Sequence, residues 1–223
     1  MTAHAQQAAS RPLRKDAARN RALLVQAARE VFAERGLEAS LDDVAHHAGL
    51  GVGTAYRHFA NKYELAQAIF AEAVEQVVAL AERSAEVADP WEGLVAFLQG
   101  VAELQTSDRG LREVLMGVHD PERMEQANER FSAPLRRIVE RAKGAGCVRL
   151  DVEPTDLGIV VMMLCTVTDV TADAAPDLWR RYLAMLLDGL RAGSELPTPA
   201  IDEGVLRKAM YAHKQRLARG YQR

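Results

Sequence analysis

Between Ser40 and Lys62 the chain reads SLDDVAHHAGLGVGTAYRHFANK, two helix-length stretches too short to be stable alone, joined at a glycine. Two such helices cross at a steep angle only if small residues lie where their backbones approach, and Ala45 and Ala48 occupy those places. Gly49 falls at the turn, where a left-handed φ is cheap only for glycine. Val44, Leu50 and Ala55 are spaced to fill the small core beneath. Ser40 is an N-cap, and Asp43 three residues on makes an acidic form of the capping box. The spacing predicts a helix-turn-helix whose second helix enters the major groove of DNA.

The exposed face of that second helix carries Thr54, Tyr56, Arg57 and His58, all donors able to reach phosphate oxygens or base edges. Lys62 follows at the start of the next helix, and Ser40 stands where exposed N–H groups suit a phosphate. Upstream, Arg14, Lys15, Arg19 and Arg21 form a basic arm suited to phosphates or the minor groove. Adjacent His46 and His47 project about 100° apart on a helix and do not chelate together, so no metal is expected. Charge is divided in the same sense. Residues 1–62 carry nine Lys/Arg against six Asp/Glu, or +3, and the remainder nineteen against twenty-five, or -6, which together give the net -3. A basic N-terminal unit on an acidic body fits an end that approaches DNA.

The segment resembles the N-terminal domain of the TetR family of repressors, whose signature G-x-x-x-G-T-x-Y-x-H-F-x-[NS]-K is read here from Gly49 through Lys62. The preceding AAREVFAERGLEA is similar to the end of that family's first helix, so the resemblance covers about residues 17–70. It implies that Ser40, Thr54, Tyr56, His58 and Lys62 hold phosphates while Val52, Gly53 and Arg57 face the bases. Gly51 departs from the pattern, standing where the family often has a capping Ser, and Gly53 is a second helix-weakening glycine. With Val52 and Gly53 offering no side-chain hydrogen bonds, selectivity leans on Arg57, thymine methyls and DNA shape.

Elsewhere apolar residues recur at helical spacing and no useful stretch alternates, so the fold class is all-α. Helices are expected over about Asp16–Arg35, Leu41–Ala48, Val52–Phe59, Asn61–Ser84, from Asp89-Pro90 onward, Leu111–Val118, Glu122–Lys143, Thr155–Ala172 and Asp177–Arg191. Residues 1–12 read as a disordered tail, 13–62 as a three-helix DNA-binding domain and 63–191 as a helical effector-binding and dimerisation domain. The final stretch, 192–223, reads as a Pro/Gly/Ser linker followed by an extra amphipathic helix over about Val205–Arg219.

In the body, the resemblance implies a small effector held between helices and a dimer made through the last two helices. Phe97, Val101, Leu104, Met116, Met124, Phe131, Leu135 and Met163 fall on central helices as the candidate pocket lining, the methionines suiting an adaptable apolar cavity, with plain core packing the competing reading of each. The stretch LGIVVMMLCTV is apolar on nearly every face, and the last body helix carries two apolar stripes. Two such helices fit a four-helix interface with a symmetry mate, built on Val160, Leu164, Val167, Leu178, Tyr182, Met185 and Leu186, with burial inside one subunit as the alternative.

No nucleophile elbow, P-loop, dinucleotide fingerprint or HExxH is present, so no enzyme activity and no cofactor are expected. Cys147 and Cys165 are at neither CxxC nor metal spacing, which suggests a reducing compartment. MTAHAQQAASRPLRK has no apolar core, and the longest apolar run, Ile159–Cys165, is far shorter than a bilayer span, so a cytoplasmic protein without a membrane role is expected. The expected function is a homodimeric repressor on a palindromic double-stranded operator, released by a small-molecule effector. An activator or architectural DNA-binding protein without a ligand is the alternative mode.

Overall fold

The structure is a computed structural model that describes residues 3–111, 114, 121–191 and 193–220, with side chains from residue 15 onward save those of 121, 124, 211 and 213–220. Its helices are α1 (Ala3–Arg35), α2 (Leu41–His47), α3 (Val52–His58), α4 (Lys62–Glu86), α5 (Pro90–Ser107), α6 (Pro121–Gly144), α7 (Pro154–Thr171), α8 (Leu178–Leu190) and α9 (Glu203–Gly220). No strand occurs among the described residues. The chain is all-α.

It divides into two compact units, Met1–Glu72 with Asp108–Val118, and Ala73–Ser107 with His119–Arg223. In the first, α1 packs on α2 and α3, and α2 on α3. Leu24, Ala28 and Phe32 of α1 are buried, as are Val44, Ala45, Ala55, Leu65 and Ile69. Residues 108–111 belong to this unit although they follow α5 in sequence. Arg29 of α1 donates to Asp108 and, at 3.3 Å, to Glu72 of α4. Gly110 lies so close that a Cβ there would run into the backbone carbonyl of Arg29. Segment 3–12, expected as a tail, forms the first turns of α1, where Ala and Gln are good helix formers.

In the second unit α5 packs on α6, α7 and α8, and α7 on α6 and α8. Leu94, Leu98, Val139, Val152, Leu157 and Leu164 are fully buried in its core. Asp89 caps α5 by accepting from the N–H groups of Trp91 (2.8 Å) and Glu92 (3.2 Å). Gly146, at φ +66°, ends α6 in a Schellman turn, with the Cys147 N–H on the Ala142 carbonyl and the Gly146 N–H on Lys143. The C-terminal segment is strapped to this unit. Asp151 accepts from the Leu196 N–H at 2.6 Å, which together with Arg149 holds its carboxyl below the usual range. Thr155 donates to the Ile201 carbonyl, and Arg207 of α9 pairs with Glu125 of α6 at 2.8 Å.

Two groups of expectations change here. Val160 and Leu164, assigned to a dimer face, are buried within the protomer, because the side of α7 that carries Leu157, Val160, Val161 and Leu164 turns onto α5. Met163, assigned to the effector pocket, is instead exposed on the opposite side beside Met162. By length and composition α7 is apolar enough to cross a membrane, with mean hydropathy 1.3. One side of it nevertheless lies in the core.

Candidate nucleic-acid interface

The turn between α2 and α3 is built as the sequence requires. Gly49 has φ +65°, the Leu50 N–H donates to the Ala45 carbonyl (2.9 Å) and the Gly49 N–H to His46 (3.1 Å). This Schellman closure ends α2 and redirects the chain. At the other end of α2 the capping box is complete. The Asp43 N–H donates to Ser40 Oγ at 3.1 Å, and Asp43 Oδ2 accepts from the Ser40 N–H at 2.9 Å and from its hydroxyl at 2.6 Å. Those hydroxyl and amide bonds hold the Asp43 carboxyl below its ordinary range. α3 begins at Gly51 with no side-chain cap, since glycine has none to give. Asn61 Oδ1 then accepts from the N–H groups of Tyr63 (2.9 Å) and Glu64 (3.0 Å), which starts α4.

On this frame Ala55 is buried, while Gly53, Tyr56 and Arg57 are exposed and Val52, Thr54 and His58 half-buried. The base-facing and phosphate-facing candidates of α3 therefore share one open surface. Tyr56 is 52 % exposed. The carboxylate of Asp42 attracts its phenolic proton, first as a hydrogen-bond acceptor and then as a charge, and raises its pKa above the ordinary value. Asp42 Oδ1 is buried without a hydrogen-bond partner. The guanidinium of Arg57 donates to Thr54 Oγ1 at 2.9 Å. The Lys62 ammonium is half-buried and donates to the Leu37 carbonyl at 2.5 Å.

Lys15 and Arg19 are exposed on α1; Arg14 lies on the same helix, with its side chain outside the described residues. Arg21 is occupied locally, its guanidinium 5.2 Å from the centre of the Phe59 ring. His47 does not pair with His46. Its Nε2 lies 2.7 Å from Glu30 of α1, and that contact, with Gln26, depresses the Glu30 carboxyl. Among the described residues no group of His, Cys, Asp or Glu is arranged to hold a metal ion.

Sequence reasoning missed Asp42, because its place beside Tyr56 depends on how α2 crosses α3. Arg29 and its Asp108–Glu72 partners were missed as well, since they are distant in sequence.

The expected effector lining is dispersed. Phe97 and Val101 are core residues, Leu135 packs against that core, and Phe131 is half-buried. Met116 and the side chain of Met124 lie outside the described residues. Leu104 borders a recess, a cleft of about 470 Å³ shared with Glu75, Gln76, Ala79, Leu80, Arg83 and Gly100. A second cleft, about 840 Å³, is lined by Glu82, Arg83, Glu86, Arg130, Ala133, Pro134 and Arg137. Both are open rather than enclosed; the larger is lined mostly by charged side chains, the smaller by Ala79, Leu80, Gly100 and Leu104 beside Glu75 and Arg83. Arg130 and Arg137, seven residues apart on α6, reach Glu75 (2.5 and 2.7 Å) and Glu86 (2.5 Å) of α4.

Residues 24–69 match the family described as bacterial regulatory proteins, tetR family, and residues 89–192 match the C-terminal domain of SbtR-like transcriptional regulators. The crystal structure of a TetR transcription regulatory protein from Mycobacterium vanbaalenii is 31 % identical with a TM-score of 0.59, over 81 % of this chain and 99 % of that one. The chain belongs to the TetR family. This TetR-family transcriptional regulator is similar to the HTH-type transcriptional regulator SrpR of Pseudomonas putida, at 28 % identity over 152 residues, 65 % of this chain and 71 % of that protein. The SmeT–triclosan complex shares its fold at 22 % identity and a TM-score of 0.57, over 82 % and 99 % of the two chains. The helix-turn-helix of α2 and α3 is the DNA-binding element of this TetR-family chain.

Proposed function

We propose that this TetR-family regulator is a homodimeric repressor that holds a palindromic operator and releases it when a small molecule occupies its second unit. The observation that carries this reading is the open α3 surface, where Tyr56, Arg57 and Thr54 stand together with exposed Gly53. Ser40, Thr54, Tyr56, His58 and Lys62 contact phosphates; Val52, Gly53 and Arg57 face base edges; Arg14, Lys15 and Arg19 add charge from α1.

The dimer forms through the outer sides of α7 and α8. Met162, Met163, Val167 and Val170 on α7 and Leu178, Tyr182, Met185 and Leu186 on α8 are exposed or half-buried at helical spacing, so they make one apolar face that a second copy covers. That pairing also accounts for the apolar character of α7 without a membrane and suits a cytoplasmic protein. The effector enters the clefts lined by α4, α5 and α6. A complex of the similarly folded SmeT with triclosan supports a small-molecule ligand, while the placement in these clefts rests on this chain's own geometry. Because α4 runs from Lys62 to Glu86, a ligand against Glu75–Glu86 acts on the helix that follows the DNA-binding motif, and the coupling passes along it.

Selection of bound sequences from random duplex DNA tests the reading. A two-fold symmetric site with half-sites about one helical turn apart is expected. Asymmetric sites bound by a monomer would refute the dimer, and operator affinity indifferent to a library of small organic molecules would favour a regulator without a ligand.

A further inference from the structure

We propose that Thr54 is a positioning residue for sequence reading: its hydroxyl oxygen fixes the Arg57 guanidinium in its base-reading posture, and its hydroxyl proton goes to a DNA phosphate. This rests on the reading of Arg57 as the residue that faces the bases. The Arg57 guanidinium has one hydrogen-bond partner among the described residues, Thr54 Oγ1 at 2.9 Å. Among the described residues no ion pair or ring contact holds it as well. A helical side chain leans toward the preceding turn, which for Arg57 means Gly53 and Thr54. A Cβ at Gly53 would meet no atom within 4 Å, so that side is bare. An arginine on an empty surface samples many rotamers and loses them all on binding a base.

Thr54 is equipped to prevent this. It is half-buried and β-branched, hence restricted at χ1. Its backbone is anchored on both sides, by its own N–H on the Gly51 carbonyl at 2.7 Å and by buried Ala55 next to it. Oγ1 accepts from Arg57, so the hydroxyl proton points elsewhere and finds no acceptor among the described residues. Threonines 166, 168 and 171 of α7 instead donate to the carbonyl four residues back. One hydroxyl thus accepts from the base reader and donates to the backbone of the DNA, and links the docking contact to the reading contact. A fixed fork suits a guanine edge, which takes two parallel bonds.

The test uses the full chain. Base preference is measured by selection from random duplexes, and affinity for one unselected duplex is measured against salt, for the parent, T54V, T54S, R57A and the T54V/R57A pair. T54V is expected to flatten preference at the same base-pair positions as R57A, by about five- to tenfold, the lower part of what one arginine–guanine pair discriminates. T54S, which keeps the hydroxyl, is expected to restore preference, and the double variant to be no flatter than R57A alone. T54V that weakens all duplexes alike and keeps its preference overturns the proposal and leaves Thr54 a phosphate contact only. R57A with intact preference instead overturns the base-reading role itself. If T54V does not fold by its melting curve, T54A against T54S gives the same comparison.

Discussion

The Lys62 ammonium donates to the carbonyl oxygen of Leu37 at 2.5 Å, so the start of α4 is tied to the turn that ends α1. A lysine in this place reads as a phosphate contact from sequence, yet it also closes the framework around the helix-turn-helix. An ammonium has three donors, and one is used here, so both roles are open to it. Lys62→Met is expected to lower the unfolding free energy by about 1–2 kcal/mol, the range for a charge-assisted bond at a half-exposed site. It is also expected to reduce the slope of log affinity against log salt by about 0.9, one phosphate contact. Denaturant titration and binding at several salt concentrations separate the two. Unchanged stability would remove the framework role.

Acid sensitivity should enter through the α2 cap. Ser40 donates its hydroxyl and amide protons to Asp43, which depresses that carboxyl. A depressed carboxyl contributes stability that is fully present above the unfolded aspartate value of about 3.9 and is lost as pH falls through the lower folded value. Asp43→Asn is therefore expected to destabilise the first unit at neutral pH and to match the parent once the pH is below the depressed value. Ser40→Ala, which removes the cap itself, is expected to cost about 1 kcal/mol at neutral pH. Melting temperatures of the three proteins across pH 2–7 are the measurement, pH 7 being the neutral reference. An Asp43→Asn deficit that persists at the acid end would exclude the carboxylate as its cause.

Two glycines should respond in opposite directions. At Gly110 a Cβ meets the Arg29 backbone, so Gly110→Ala has to displace the 108–111 segment and is expected to destabilise by about 1–3 kcal/mol. At Gly53 the space is open and φ is not positive, so Gly53→Ala is expected to stabilise α3 by up to about 1 kcal/mol. Chemical denaturation of both variants tests the contrast, and a stabilised Gly110→Ala would show that the segment does not sit on α1.

Local chemistry is what the residues around Gly49 make legible. The capping box, the left-handed turn and the small-residue crossing each depend on neighbours within five positions, and all are present in the structure. The long-range pairs are different. Nothing near Arg29 announces Asp108, because the partner is set by how the chain returns after α5. The same limit explains the pocket residues. Apolar side chains on central helices compete for one core, so Phe97 and Val101 enter it, while the larger recess forms where Arg130 and Arg137 reach from α6 to the carboxylates of α4. Periodicity makes the stretch 157–167 apolar on nearly every face, but does not say which side its own protomer takes.

Val160 and Leu164 belong to the protomer core, and Met162, Met163 and Val170 remain outside, with Tyr182 and Met185 on the neighbouring helix. If a second copy covers this face, a charge placed on it must be desolvated in the dimer and not in the monomer, a penalty of several kcal/mol per buried ion. Met163→Lys with Met185→Lys is accordingly expected to shift the protein to monomer at micromolar concentration while its helical circular dichroism is retained. Leu164→Ala, a cavity in the core, is expected instead to lower the melting temperature through loss of about 2–5 kcal/mol. Sedimentation velocity alongside thermal melts distinguishes these outcomes. A double-lysine variant that sediments as the parent does would place the dimer interface elsewhere.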